Sequence, residues 1–224
     1  MLCSVVMSVF NSEATILDSI DSILNQTYKD YEFLIIDDGS TDETVNKINS
    51  FSDPRIKFYK NEQNIGLTKS LNKLIVEASG KYIVRQDADD VSLRERLEKQ
   101  IGILENSDFQ ITTSRAYNKQ TQSFIPKLHL PYKYLLKYKN PFIHGTLCIE
   151  KKLLLEIGMY NEEFKYSQDY KLFADLVRAN KKIYVFREPL YILNMEDNIS
   201  TRDFEEQKYF AEIVKSELRN QKLY

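Results

Sequence analysis

Histidine is almost missing from this 224-residue chain: His129 and His144 are its only two. A hydrolytic site assembled from several imidazoles is therefore excluded. Cysteine is as scarce, and Cys3 and Cys148 both sit inside apolar runs without metal-ligand spacing. They read as reduced core thiols of a cytosolic protein rather than as a disulfide framework. Long apolar stretches are lacking too. Leu2–Phe10 is far too short to cross a bilayer, and no other segment is long enough. That stretch also has neither a basic leader nor a small-residue cleavage site, so it does not read as a secretory signal. Neither sign of charge is in excess. A net charge of −2 gives no reason to expect non-specific nucleic-acid binding. With no repeat, low-complexity tract or linker, one domain over residues 1–224 is expected.

What remains is an ordinary globular balance, 42% hydrophobic and 29% charged. The length can bury one good core. In the first half, short apolar runs alternate with helical periodicity. Cys3–Val9 predicts a strand covered on both faces, and Ile16, Ile20, Ile23 and Leu24 predict a helix. Tyr31–Ile36 predicts a second strand that stops at the turn-rich Asp37-Asp38-Gly39-Ser40-Thr41-Asp42. Ile56–Tyr59 and Leu67–Ala78 continue the alternation. This order predicts a parallel sheet with helices on both faces, whose ligands gather at the carboxyl ends of strands. The second half is less regular. Residues 111–139 read as mixed and broken by Pro126 and Pro131, and Asn140–Ile149 reads as strand-like. Lys152–Ile157 and Tyr170–Ala179 read as helices, Ile183–Phe186 and Leu190–Leu193 as late strands, and Phe204–Leu218 as an amphipathic helix.

Gln86-Asp87-Ala88-Asp89-Asp90 carries the most chemical information. It follows the short strand of Gly80–Arg85, and alternation puts Asp87 and Asp89 on one side with Ala88 opposite. Crowded carboxylates repel unless a positive charge joins them. A hard divalent cation does so, binding through one or two carboxylates plus substrate phosphates. The plainer reading is a solvated turn before the next helix. For Asp90 that reading is preferred, because Ser92 and Glu95 have capping-box spacing ahead of Leu97 and Ile101.

Together, Val5–Asn11, Asp37–Asp42, Asn64-Ile65-Gly66-Leu67 and Asp87–Asp90 resemble a family 2 glycosyltransferase. Asn140–Thr146 and Ser167–Leu172 fit the same order, and the resemblance spans about Leu2 to Ser200. It implies a GT-A fold: an α/β, Rossmann-like, mostly parallel central sheet flanked by helices, with a smaller acceptor-side region and a C-terminal amphipathic helix. Residues 1–110 would bind the nucleotide sugar, 111–202 the acceptor and base, and 203–224 would be the terminal helix. The implied reaction is inverting transfer from a nucleotide sugar, here a UDP-sugar, in surface-polysaccharide synthesis. The implied cofactor is Mn2+ or Mg2+, and the acceptor a glycan or lipid-linked glycan.

Position by position, the resemblance implies that Val9, Phe10 and Glu13 line the donor base site. Asp38 would accept the uracil N3 hydrogen, as suits an ionised carboxylate, while Asp37 would support the turn. Asn64 and Gly66 would bring backbone close to the nucleotide. Lys69 would approach the diphosphate or remain a solvated helix lysine. Asp87 would contact the ribose or a metal-bound water, and Asp89 would ligate the metal. Asp169 would be the catalytic base; its plain alternative is helix capping. His144 is a candidate acceptor contact, with a structural hydrogen-bonding role as its alternative. Two departures stand out. Gln168 replaces the acidic residue often found before the base, and Asn194-Met195-Glu196 stands where a cationic closing loop is common, leaving Glu196 as a possible metal contact. Pro131–Lys139 interleaves lysines with aromatics, which suits either peripheral membrane contact or a half-buried helix. Competing functions are a degenerate nucleotide-sugar-binding module and a sugar-1-phosphate nucleotidyltransferase. The second is disfavoured because Phe10–Ala14 carries no glycine or basic residue.

Overall fold

A computed structural model describes residues 2–121, 131–195 and 204–220, and places eight strands of these residues in one sheet. Glu196 lies outside the described residues, as does most of the loop that follows it. The strands are β1 (Cys3–Val9), β2 (Tyr31–Asp37), β3 (Ile56–Lys60), β4 (Tyr82–Arg85), β5 (Val91–Ser92), β6 (Ile111–Asn118), β7 (Cys148–Glu150) and β8 (Ile183–Leu193). The helices are α1 (Ile16–Leu24), α2 (Thr44–Asn49), α3 (Leu67–Glu77), α4 (Arg96–Glu105), α5 (Tyr132–Leu135), α6 (Lys151–Glu156), α7 (Gln168–Arg178) and α8 (Phe204–Arg219). Sheet order is β3-β2-β1-β4-β7-β6-β8-β5. β3, β2, β1 and β4 run parallel, as expected from the strand–helix alternation. β7 lies antiparallel to both β4 and β6, and β5 antiparallel to β8.

Two-sided burial explains the continuous apolar runs. Along β1 and β2, Val5, Met7, Phe33 and Ile35 face a cluster with Ile16, Ile20, Leu97 and Ile101. Val6, Leu34 and Ile36 face the opposite cluster, built with Leu71, Leu74, Phe173, Leu176, Val214 and Leu218. The amphipathic face of α8 is thus spent on the core beside α7.

Three expectations need correction. β6 was not expected, because its sequence Ile-Thr-Thr-Ser-Arg-Ala-Tyr-Asn is polar. Lying between β7 and β8, it buries Thr112, Thr113 and Ser114 by satisfying their backbone in the ladder. Asn140–Ile149 is not one strand but a turn, a 3-10 turn at His144–Thr146, and only then β7. The two late strands are one irregular strand, β8, whose register against β6 slips between Ser114 and Ala116.

One buried carboxylate ties the first two strands to the turn before β4. Glu32 accepts hydrogen bonds from Ser4 Oγ at 2.6 Å, Ser79 N at 2.6 Å and Ser79 Oγ at 2.7 Å, and Lys57 Nζ stands 2.6 Å away. Burial pushes its pKa up, but these donors together outweigh burial and bring it from 4.5 to about 2. The folded state therefore holds this proton more weakly than the unfolded chain. The resulting stability, roughly 3 kcal/mol, is present above pH 5 and is lost as pH falls towards 2. Urea titrations across that window are expected to show a shallower acid loss in Glu32→Gln than in the parent. Equal slopes would show that Glu32 is not the responsible group.

Candidate active site

β2, β1 and β4 are neighbours, so the loops leaving their carboxyl ends meet at one edge. The first two loops are latched together. Asn11, at φ 48°, accepts from Thr41 N at 2.9 Å, and its own N–H donates to Ser40 Oγ at 2.9 Å. Glu13 N donates to Asp42 at 3.1 Å, and the Glu13 carboxylate accepts from Glu43 N at 3.0 Å. Val9 is buried in the core, its carbonyl accepting from Asp38 N at 2.8 Å. Phe10 is 46% exposed at the mouth. Phe10 and Glu13 are both exposed, and the Glu13 carboxylate fastens the loops.

Asp37 accepts from Ser40 N, the turn-supporting role. Asp38 is buried and organises the loop after β3. Its Oδ1 accepts from Asn61 Nδ2 at 2.8 Å and Ile65 N at 3.0 Å, and its Oδ2 from Gly66 N at 2.9 Å. A carboxylate offers about four acceptor positions, so one on Oδ2 remains. Gly39, at φ 82°, could not carry a side chain, because a Cβ would lie 2.9 Å from Asn64 N. Asn64 and Lys69 are exposed, and Gly66, at φ 92°, begins α3.

The acidic loop is wound on one buried amide. Gln86 Nε2 donates to the carbonyls of Asp87 and Asp90, each at 3.0 Å. Its Oε1 accepts from Ser92 Oγ at 2.6 Å and Arg96 Nη1 at 3.2 Å. Ser92 is thereby diverted from the expected capping box, and Glu95 makes no side-chain cap. Ala88 packs into the core while Asp87 and Asp89 stay partly exposed, as alternation required. Asp90 is buried and accepts from Asn194 N at 2.7 Å, which corrects its reading as a solvated capping residue.

Two buried arginines, not anticipated from the sequence, lie beneath these carboxylates. Arg85 Nη2 donates to Asp87 Oδ1 at 2.6 Å. Arg96, fully buried, donates to Gln100, Ser92, Gln86 and the Arg85 carbonyl, and stacks 4.8 Å from the Tyr191 ring. The signal was present in the flanking Arg85, Arg94 and Arg96, but only the fold turns the first and third inward and leaves Arg94 exposed. Asp89 makes no ion pair among the described residues. Burial, then the charge of Asp87, push its pKa up to about 6, against the downward pull of the Arg85 and Lys119 charges. Burial and the charges of Asp87 and Asp89 raise Asp90 as well.

Across from this loop stands α7. Asp169 occupies its first turn, directly after Gln168, and accepts from Asn140 Nδ2 at 2.7 Å. His144 Nε2 shares a 2.7 Å hydrogen bond with the Tyr160 hydroxyl. Burial and the Arg85 cation push the imidazole below its ordinary pKa, against the pull of Asp87 and Asp169. Gly145 provides clearance: a Cβ there would lie 2.5 Å from the Tyr191 hydroxyl and 2.6 Å from Asp87 Oδ2.

Among the described residues, no three carboxylate, imidazole or thiolate groups converge into a ready metal cage. The donor set nonetheless fits a divalent cation shared with a ligand. Asp89 is a partly exposed carboxylate with a neighbouring negative charge, and hard cations accept one or two such oxygens with phosphate completing the shell.

This mixed sheet, with carboxylates at adjacent strand ends, is a GT-A fold. The model of the family described as glycosyl transferase family 2 matches residues 4–161, and the chain belongs to that family. It is 32% identical over 181 residues to WfgD of Escherichia coli, a UDP-Glc:alpha-D-GlcNAc-diphosphoundecaprenol beta-1,3-glucosyltransferase, covering 80% of this chain and 71% of that one. The structure of S. aureus TarS 1-349 with UDP-GlcNAc superposes with a TM-score of 0.77 at 20% identity, over 96% of this chain and 66% of that one. The mannosyltransferase PcManGT from Pyrobaculum calidifontis, with GDP-Man and Mn2+, gives 0.76 at 16% identity, over 98% and 65%.

Gly145→Ala is expected to cost about 1–3 kcal/mol in urea unfolding, as overpacking does. Adding Tyr191→Phe should recover part of that loss, because it removes the nearest of the three clashing atoms, leaving Asp87 Oδ2 at 2.6 Å and the ring Cε1 at 2.8 Å. Purely additive losses would mean that the hydroxyl is not the obstacle.

Proposed function

We propose that the protein is an inverting, metal-dependent transferase that moves a sugar from a UDP-sugar to a hydroxyl of a lipid-linked glycan in surface-polysaccharide synthesis. The observations that carry this reading are Asp89, partly exposed and in no ion pair among the described residues, and Asp169, in the first turn of α7 with one oxygen unbonded among the described residues. WfgD acts from UDP-Glc on a diphosphoundecaprenol-linked sugar, which supports the donor and acceptor classes.

In this reading residues 1–110 hold the donor. Phe10 covers the base, the remaining Asp38 position accepts the imide hydrogen, and Asn64 and Gly66 border the nucleotide. Lys69 reaches towards the diphosphate, and Asp87 faces the ribose. Asp89 would hold the divalent cation, which when bound supplies charge neutralisation to the departing diphosphate. Residues 111–202 hold the acceptor, with His144 and Gln168 bordering it, and α8 packs beside α7. Asp169 takes the hydroxyl proton as the acceptor oxygen bonds to the anomeric carbon. The bond from that carbon to the diphosphate oxygen breaks, and its electron pair leaves with UDP. One displacement inverts the centre.

Thermal shift against UDP-glucose, UDP-GlcNAc and GDP-mannose with manganese identifies the donor. With it, Asp169→Asn is expected to lose roughly 10²- to 10⁴-fold in turnover while keeping donor binding. Asp89→Ala should lose manganese-dependent UDP binding in calorimetry. Parental turnover in both variants would sink the role assignments.

The acceptor's lipid directs attention to the α5 region. Tyr134 and Tyr138 are 51% and 52% exposed, their hydroxyls 3.3 Å apart, beside Lys133, Lys137 and Lys139, which make no ion pair among the described residues. We read this as a peripheral contact with an anionic leaflet; among the described residues no helix is long and apolar enough to span one. Vesicles containing phosphatidylglycerol should sediment the protein and pure phosphatidylcholine vesicles should not. Lys133→Glu and Lys137→Glu should each weaken binding about fivefold or more, at about 1 kcal/mol per lysine. Charge-independent binding would refute it.

A further inference from the structure

Among the described residues, one side chain hydrogen-bonds Asp169. Asn140 donates from Nδ2 to Asp169 Oδ2 at 2.7 Å, and its Oδ1 accepts from Phe142 N at 3.1 Å. The second bond settles the amide's orientation, since only the oxygen can accept from a backbone N–H, and it leaves the NH2 group facing the carboxylate. Phe142 is buried, with its ring centroid 4.4 Å from that of Phe173. Phe173 lies four residues after Asp169, so both project from one face of α7. The turn Asn140-Pro141-Phe142 therefore grips that face at two points, one polar and one aromatic. Pro141 lends it stiffness by fixing its own φ. The start of α7 needs such an anchor, because Ser167 is in the left-handed region at φ 53° and makes no side-chain cap.

We propose that Asn140 is a positioning residue for the transfer reaction: its amide occupies Asp169 Oδ2 and holds the carboxylate so that Oδ1 faces the acceptor hydroxyl. The inference rests on Asp169 being the base. The effect is orientational, and loss of orientation at a reacting group costs on the order of 10-fold to 10²-fold in rate.

Asn140→Ser isolates the contact. Serine keeps an oxygen for Phe142 N–H but is too short to donate to Asp169. Turnover is measured as UDP release from the donor selected above, with manganese and a synthetic α-GlcNAc-diphosphate lipid, in the parent, Asn140→Ser, Asp169→Asn and the double variant. Asn140→Ser is expected to lower kcat 10-fold or more with donor KM within twofold. In the Asp169→Asn background it should cost nothing further, because the partner is already altered. Parental kcat in Asn140→Ser, or an equal loss in both backgrounds, overturns the proposal. If Asp169→Asn itself turns over at the parental rate, the base assignment fails instead. Independently of turnover, 15N NMR with labelled asparagine should show the Asn140 side-chain NH2 resonances, identified by their loss in Asn140→Ser, shifting in Asp169→Asn. Unchanged resonances would overturn the contact in the absence of any transfer.

Discussion

Burying two arginines beneath three aspartates is the constraint on which the site depends. Removing a cation from water costs several kcal/mol unless charge and hydrogen bonds compensate. Arg85 is compensated by Asp87 at 2.6 Å, whereas Arg96 relies on neutral oxygens and the Tyr191 ring. Its burial lowers its pKa, while Tyr191, Cys148 and Asp87 oppose that shift. The carboxylates are equally dependent on the arginines, since Asp87, Asp89 and Asp90 would otherwise share a short loop as uncompensated charges. Gln86 makes the arrangement specific by tying the loop's carbonyls to Ser92 and Arg96. What emerges is graded: Asp87 paired with Arg85, Asp90 buried and held by the Asn194 backbone, and Asp89 partly exposed with no ion pair among the described residues.

The same network joins the first half of the chain to the second. The Tyr191 hydroxyl, from β8, accepts from Asp87 N at 3.0 Å, and the Asn194 backbone donates to Asp90. Gly145 leaves room for Tyr191 and Asp87 to come together. The irregular pairing of β8 with β6 matters here, since it bends the second half of β8 back to pair with β5, beside the acidic loop. Arg85, Asp87 and Asp169 all act on the His144 imidazole, so the acidic loop and the start of α7 share one electrostatic environment.

Much of this was legible in the chain and some was not, for physical reasons. β1, β2, β3, α1 and α3 were read nearly residue for residue, because a strand buried on both faces is continuously apolar and an amphipathic helix repeats every three to four positions. β6 was invisible to that reasoning: its polar side chains are buried only because β7 and β8 supply neighbours from far along the chain. Ser92 and Glu95 had the spacing of a cap, yet the stronger bond to buried Gln86 and Arg96 took Ser92 away. The roles of Asn140, Gly145 and Tyr191 had no local signal, as each is defined by a partner more than 25 positions distant.

The sequence alone determined the chemistry on offer: carboxylates at strand ends, too little histidine and cysteine for the alternatives, and a helix beginning at the candidate base. Local periodicity and residue type suffice for that, because they act over a few neighbouring positions. Tertiary structure decided which charges cancel. Arg85 and Arg96 turn inward, Asp38 is spent largely on its own loop, and of the three aspartates only Asp87 gains an ion pair among the described residues, since electrostatic compensation depends on distances that only folding sets.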